Sequence, residues 1–457
     1  MVSELESADV VVLGLGPGGE HLAGRLAEAG LDVVGIDGGL VGGECPYWGC
    51  VPSKMMVRAA GLLAEARRVE GMAGSAAVTP DWAPVARRIR EEATDNWDDS
   101  EAVKRLRRSG ASFVRGVGRL QGPKAVEVGG RRVAARRAVV IDTGSAPWAP
   151  PVPGLDDGAY WTNHEAIEVT ELPRSLVVLG SGAVGAELAQ VFARFGVAVS
   201  VVEAAPRMVP AEEPEVGALL EEAFAGESIS VRTGARVSSV AFDGAVTVHF
   251  ESGQPLTGDR LLVATGRRAD LAALAAATIG VDESRPSLPV DEHMRVTDGV
   301  WAIGDVTGMG NFTHISMYQA AIAVADILGT PGPGAEYHAV PRVTFTDPEI
   351  GSVGLTEDQA RKAGLAVRTG RSNVAESARG WIHKVGNAGL VKLVEDTRAG
   401  VLVGATSAGP AGGEVLAMLT LAVHARIPTA ELRRMIYAYP TFHRAVEAAL
   451  DDLVSQR

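Results

Sequence analysis

One pattern occurs twice in this chain, and a chain that carries it has few folds open to it. Asp9-Val10-Val11-Val12-Leu13 runs into Gly14-x-Gly16-x-x-Gly19 and a helical stretch from about Gly18 to Ala29, after which Val33-Val34-Gly35-Ile36 ends in Asp37. Leu176-Val177-Val178-Leu179 leads in the same way to Gly180-x-Gly182-x-x-Gly185 and a helix to Phe195. A strand Ala198–Val202 follows and ends in Glu203. The unbroken apolar runs predict strands buried on both faces of a parallel sheet. The glycines let the backbone approach a pyrophosphate at the helix N-terminus, and the acid accepts from ribose hydroxyls. A glycine triplet by itself says little; strand, helix and acid in register make it a nucleotide site. Two such units in 457 residues predict an α/β protein that binds two nucleotides. At the second, Glu203 favours a free 2′-hydroxyl. Arg207, past Pro206, is the one close arginine for a 2′-phosphate, so NADH is expected over NADPH.

Between the two copies lies Gly42-Gly43-Glu44-Cys45-Pro46-Tyr47-Trp48-Gly49-Cys50-Val51-Pro52-Ser53-Lys54, which holds both cysteines of the chain. With four residues between them they can form a disulfide without moving distant segments. Redox or metal chemistry is the usual employment of such a pair in a reducing compartment. Zinc would need two further ligands, and no second cysteine pair or histidine set supplies them, so no metal is expected. Two ordinary buried thiols are the plain alternative, since free cysteine behaves as a small hydrophobe. The glycines speak against it, because they admit a flat ligand close to the backbone.

This string resembles the redox-disulfide motif of the flavoprotein pyridine nucleotide-disulfide oxidoreductases, the family of dihydrolipoamide dehydrogenase and of glutathione, mycothione and mercuric reductases. The resemblance implies that FAD fills the first nucleotide site, that Cys45 attacks substrate, and that Cys50 is the charge-transfer thiol against the flavin. Lys54 then stands beside the flavin N5 edge, paired with Glu187, for which the alternative is a capping or surface acid. Cys50 precedes an expected helix, about Ser53 to Arg68, whose dipole favours thiolate. Tyr47 and Trp48 depart from the smaller residues of the family and are read as packing. Thr143-Gly144-Ser145 matches the turn against FAD, and Leu261–Val263 with Gly266 returns the chain towards the FAD domain. Trp301-Ala302-Ile303-Gly304-Asp305 matches the second FAD fingerprint, with Asp305 at the ribityl chain. Thr313-His314-Ile315 opens a helix expected under the flavin.

The implied architecture is two Rossmann-like nucleotide-binding domains, for FAD and NAD, plus a C-terminal α+β dimerisation domain. Its bounds are 1–148 for the first part of the FAD domain, 149–268 for the NAD(P) domain, 269–332 for the second FAD part and 333–457 for the interface domain. A second helical stretch is expected from about Val85 to Ser109. The interface domain reads as strands near Arg342–Phe345, Glu349–Gly354, Gly389–Glu395 and Val401–Thr406, with helices at Glu357–Ala363, Gly413–His424 and Thr441–Leu453. A homodimer with active sites shared between subunits is implied.

The C-terminus breaks the pattern. Disulfide reductases of the family end in His-Pro-Thr-x-x-Glu, whose histidine moves protons in thiol exchange. Here Tyr439 stands for the histidine and Arg444 for the glutamate, in Tyr439-Pro440-Thr441-Phe442-His443-Arg444. A phenol of pKa about 10 does not shuttle protons at neutral pH as imidazole does. His443 is a candidate displaced base, with a packing or surface role as its alternative. The expected activity is therefore transfer of electrons from NADH through FAD and Cys45/Cys50 to an acceptor that is not a standard dithiol, such as a quinone, a metal or a specialised small molecule. A dihydrolipoamide dehydrogenase-like reductase with another proton donor is the second reading. A flavin-bearing redox sensor with little turnover is the third. The net charge of −13 argues against nucleic acid and anionic membranes as partners. With no opening signal peptide and no long apolar span, a cytoplasmic protein is expected.

Overall fold

The computed structural model describes residues 7–155 and 159–455, which fall into two units. The first holds the chain up to Pro52 with Arg87–Trp148 and Arg267–Tyr337, and the second holds Ser53–Ala86, Ala149–Gly266 and the chain from His338. The outer ends of the expected first and last domains, residues 1–6 and 456–457, lie outside the described residues. Among the described residues no helix is long and apolar enough to cross a membrane.

The first unit is organised on the strand Ser7–Leu13, which pairs in parallel with Val33–Asp37 on one side and Arg131–Ile141 on the other. Its valines are buried on both faces, as the unbroken apolar run predicts. Val10 and Val12 pack with Leu22 and Leu26 of the helix Pro17–Glu28 and with Ala320 and Val324 of the helix Thr313–Ile327. Val11 and Leu13 point the other way, into Val126, Ile279 and Leu288. Ser112–Arg115 and Val300–Ala302 extend the sheet on either side. Gly14 has φ of 86°, and a side chain there would run into the Asp142 backbone.

The expected helix from Val85 to Ser109 is two helices. Ala83–Arg88 passes into a π turn at Ile89–Ala93, and Ser100–Arg108 starts afresh. Between them Asp95, Asn96 and Trp97 all have positive φ. The physical reason is competition for the backbone: the Asp98 carboxylate takes the Ser100 amide and hydroxyl, and the Thr94 hydroxyl takes the Trp97 amide. Apolar spacing carries across this gap, and the cluster of short polar residues breaks it.

In the second unit the other glycine copy forms a four-stranded parallel sheet, in the order Ser230–Arg232, Ala198–Val202, Ser175–Leu179, Arg260–Val263. An antiparallel ribbon of Val237–Asp243, Ala245–Phe250 and Leu256–Gly258 follows. The C-terminal part is a five-stranded antiparallel sheet covered by the helices Gly412–His424 and His443–Ser455. Its edge strand Val367–Asn373 has no counterpart in the sequence reading. It is mostly polar, because one of its sides has no strand partner, and so lacks the alternation that marks a strand.

Candidate active site

Both glycine turns are built alike. Gly16 and Gly182 each precede a 12-residue helix and offer it no side-chain cap; at the first start Asp142 takes the Gly19 amide, and an anion can take N–H groups that remain. The acid that ends each second strand is held by two amides at matching places. Asp37 accepts from the amides of Leu15 at 2.6 Å and Gly39 at 2.7 Å. Glu203 accepts from the Ser181 amide at 2.9 Å and hydroxyl at 2.8 Å, and from the Ala205 amide at 2.8 Å. Each carboxylate is thus fixed in orientation and keeps lone pairs for ribose hydroxyls. Burial raises the Asp37 pKa, and the two amides oppose this. Arg207 is turned elsewhere: its guanidinium donates to the carbonyls of Pro210 and Glu212.

Gly42 and Gly43 carry the redox loop through φ of 105° and 67°, and the Gly42 amide ties it to the Leu15 carbonyl at 2.7 Å. Cys45 lies in its own short helix, Glu44–Tyr47, and Cys50 is the first residue of the helix Cys50–Arg67. The helix therefore begins three residues before the expected Ser53. Pro52 fits its first turn, where no intrahelical N–H is needed. Cys45 is half-buried and Cys50 exposed, so two ordinary buried thiols do not describe them. Their side chains are hydrogen-bonded to each other; that bond, and then burial, raise the Cys45 pKa. The Thr313 hydroxyl opposes the shift, and it lies 3.7 Å from the Cys50 sulfur. Cys45 and Thr313 also line a cavity of about 340 Å³ with Pro17, Pro46 and Tyr47.

A second group of contacts joins the other flavin-motif residues. The Ser145 hydroxyl donates to Asp305 at 2.7 Å, and Arg267 donates to the Ser145 hydroxyl and carbonyl and pairs with Glu44 at 2.9 Å. The Thr143-Gly144-Ser145 turn, Asp305 and the redox loop are thereby linked through Arg267, the residue after Gly266. Burial raises the Asp305 pKa, and Ser145 and Arg267 counter it. The Gly304 amide donates to Gln319 at 2.7 Å, which anchors the fingerprint to the helix that Thr313 opens. His314 is exposed and stacks on Phe312 at 5.1 Å.

In the second unit Lys54 Nζ lies 2.6 Å from a Glu187 carboxylate oxygen, and the other oxygen accepts the Phe345 amide at 2.9 Å. With Glu187 only 4% exposed, a surface or capping acid does not describe it. Tyr439 is 72% exposed, with the Arg444 guanidinium 5.7 Å from its ring centre. Arg444 is paired with Glu447 at 2.9 Å, and His443 is the first residue of the last helix.

Sequence reasoning missed Thr313, Arg267 and Asp142. The first two adjoin residues it singled out, His314 and Gly266. The residues at the first turn fit a dinucleotide flavin: the helix Pro17–Glu28 has no cap from Gly16, Asp37 is held in place by two amides, and a side chain on Gly14 or Gly16 would collide with Asp142.

A family model described as pyridine nucleotide-disulphide oxidoreductase matches residues 8–325, and the dimerisation domain of the same family matches 340–450. The chain is 34% identical to a dihydrolipoyl dehydrogenase of Chlorobaculum tepidum, over 98% of this chain and 97% of that one. It is 32% identical to a mercuric reductase of Streptomyces lividans, over 98% and 96%. Among solved structures it resembles the Cu(II) complex of the HOCl-induced flavoprotein disulfide reductase RclA of Escherichia coli. That match has a TM-score of 0.84 at 26% identity, over 98% of this chain and 99% of that one.

Proposed function

The chain belongs to the pyridine nucleotide-disulphide oxidoreductases, which use FAD and NAD(P)H, and on that premise we propose that it reduces an acceptor other than an ordinary dithiol. FAD, when bound, takes hydride from the nicotinamide and supplies two electrons to the disulfide. Glu203 holds the ribose of NADH, in a domain assigned to 149–268. One NADH and one proton convert the Cys45–Cys50 disulfide to two thiols. Two electrons returned to the acceptor, with two protons released, restore it. Cys45 faces the acceptor and Cys50 the flavin, with Lys54 and Glu187 at the flavin edge.

The observation that carries this reading is the contact of Cys45, Cys50 and Thr313, with Cys45 on the wall of a cavity large enough for a small acceptor. The nature of the acceptor follows from Tyr439. Thiol exchange needs a proton delivered to a departing thiolate, worth about 10²–10⁴-fold, and Tyr439 with Arg444 replaces the pair that delivers it. Metal ions and quinones leave no thiolate. A relative named mercuric reductase and a neighbour described as a Cu(II) complex support a metal ion first. A dihydrolipoamide-type activity is the second reading, favoured by the relative of that name. A sensor with little turnover is the third, and a cytoplasmic setting is proposed for all three.

The test is NADH oxidation with Hg(II), Cu(II), a benzoquinone, lipoamide and glutathione disulfide. Turnover is expected with the metals or quinone and to be poor with the disulfides. Cys45→Ser should stop metal reduction and leave NADH reduction of the flavin intact. Tyr439→His with Arg444→Glu should raise disulfide turnover selectively. Rapid lipoamide reduction by the wild type would hand the assignment to the second reading, and no steady turnover with any acceptor to the third.

A further inference from the structure

Asp142, at the end of the strand Arg131–Ile141 and just before Thr143, is a carboxyl group enclosed by the first glycine cradle. One of its oxygens accepts the Gly19 amide at 2.7 Å, in the first turn of the helix Pro17–Glu28. The other lies 3.4 Å from the Ser316 hydroxyl, in the first turn of the helix Thr313–Ile327. A Cβ on Gly16 would stand 2.9 Å from the first oxygen, and one on Gly304 would stand 2.5 Å from the second. The carboxyl group thus touches both flavin fingerprints and the helix that Thr313 opens. The side chain is 6% exposed.

We propose that Asp142 is the positioning residue that joins these segments of the FAD cradle, and that it does so as a neutral carboxylic acid, so that FAD is held less firmly when it ionises. The proposal rests on FAD filling the first cradle.

The reason is electrostatic. The N-terminus of Pro17–Glu28 is the place for the dianionic pyrophosphate, and an ionised Asp142 puts a second anion on the same helix end, in surroundings that water does not screen. The charged groups acting on it are Asp305, from the turn after Val300–Ala302, and Asp37, from the end of Val33–Asp37, both of like sign. The packed helices offer it the Gly19 amide and the Ser316 hydroxyl. Burial, as the largest cause, holds its pKa well above that of an ordinary carboxyl, with the Gly19 amide and the Ser316 hydroxyl acting against it. One of its oxygens accepts from the Ser316 hydroxyl and the other from the Gly19 amide.

The sign of the linkage is fixed. Bound pyrophosphate raises the Asp142 pKa further, so the complex binds a proton that the FAD-free protein has released, and FAD affinity falls as pH rises through the interval between the two pKa values. One proton limits the slope to about tenfold per pH unit.

The experiment measures FAD released from the purified holoenzyme, by ultrafiltration and flavin fluorescence, between pH 6 and 9. Wild-type protein is expected to release more FAD as pH rises. Asp142→Asn, which keeps the acceptor for Gly19 and cannot ionise, is expected to lose that dependence and to hold FAD more firmly at the alkaline end. The raised groups Asp37 and Asp305 remain in both proteins, so the difference between them isolates Asp142. Wild-type retention that does not change with pH overturns the proposal without any variant, as does an equal slope in Asp142→Asn. A protein that takes up no FAD at any pH overturns the cofactor assignment and the proposal with it.

Discussion

The Thr313 hydroxyl serves both reactive sulfurs, and its place gives it more than one way to act. It opens a 15-residue helix with no side-chain cap, so an anion close to it meets the positive end of the helix as well as the hydroxyl. A thiolate at Cys50 gains from both, and a hydrogen bond to a charged group is worth about 1.5–3 kcal/mol. In a Cys45→Ser background, where Cys50 has no disulfide partner, the long-wavelength absorbance of thiolate beside flavin reports the Cys50 titration. Thr313→Val, of equal shape, should raise its midpoint by about one to two pH units. An unmoved midpoint would leave Thr313 a packing residue. The string Thr313-His314-Ile315 marks only a helix start, and the threonine's contact with the sulfurs arises because that start, 263 positions along the chain, arrives at Cys50. The same holds for Asp142 and Arg267, whose partners are remote in sequence. Cys45, Cys50, Asp37, Glu203 and Asp305 were legible because each belongs to a local pattern whose spacing carries its chemistry.

At the scale of elements, the proposed reading makes the second glycine turn the determinant of pyridine nucleotide choice. The Glu203 carboxylate is held by three donors from two loops, so it cannot swing away from a 2′-phosphate. Arg207 is engaged by two backbone carbonyls and would have to give them up to compensate. A like-charge mismatch of about 1–3 kcal/mol corresponds to a preference for NADH of about 5–150-fold in kcat/KM. Steady-state comparison of the two nucleotides checks it, and Glu203→Gln should narrow the ratio. A native preference for NADPH would mean that an arginine reaches the phosphate after all. The elements themselves were legible wherever periodicity was enforced by burial on both faces. Ala198–Val202 and Glu349–Gly354 have the bounds that the sequence predicts. What escaped was set by partners instead of pattern. Val367–Asn373 is a strand because Leu390–Asp396 offers it a ladder. The break after Ile89–Ala93 exists because side chains at Thr94 and Asp98 capture backbone donors.

At the scale of the whole molecule, the match of residues 340–450 to the dimerisation domain of the family gives meaning to apolar side chains left outside the core. Ile436 is 96% exposed and Trp381 73%, in a part of the chain where the helix His443–Ser455 is otherwise well packed. Trp381 belongs to the helix Ala378–His383, whose His383 and Arg379 both meet the ring of Phe442. Phe442 lies between Tyr439 and Arg444 in sequence, so the Tyr439–Arg444 segment adjoins the Trp381 helix. Large apolar groups rimmed by charge mark a partner surface, and the partner proposed is a second copy. Ile436→Asp with Trp381→Glu should then weaken the dimer by at least about 30-fold, the 2 kcal/mol of a buried anchor, as sedimentation at graded concentrations will read. If active sites are shared between subunits, the separated protein should still pass hydride from NADH to FAD, because the glycine cradles lie within one chain, and should lose turnover with the acceptor. A variant that remains dimeric rules out this surface. One that becomes monomeric and keeps full acceptor turnover places the whole path from NADH to Cys45 in a single chain, and Tyr439 then has no part in it from across the interface.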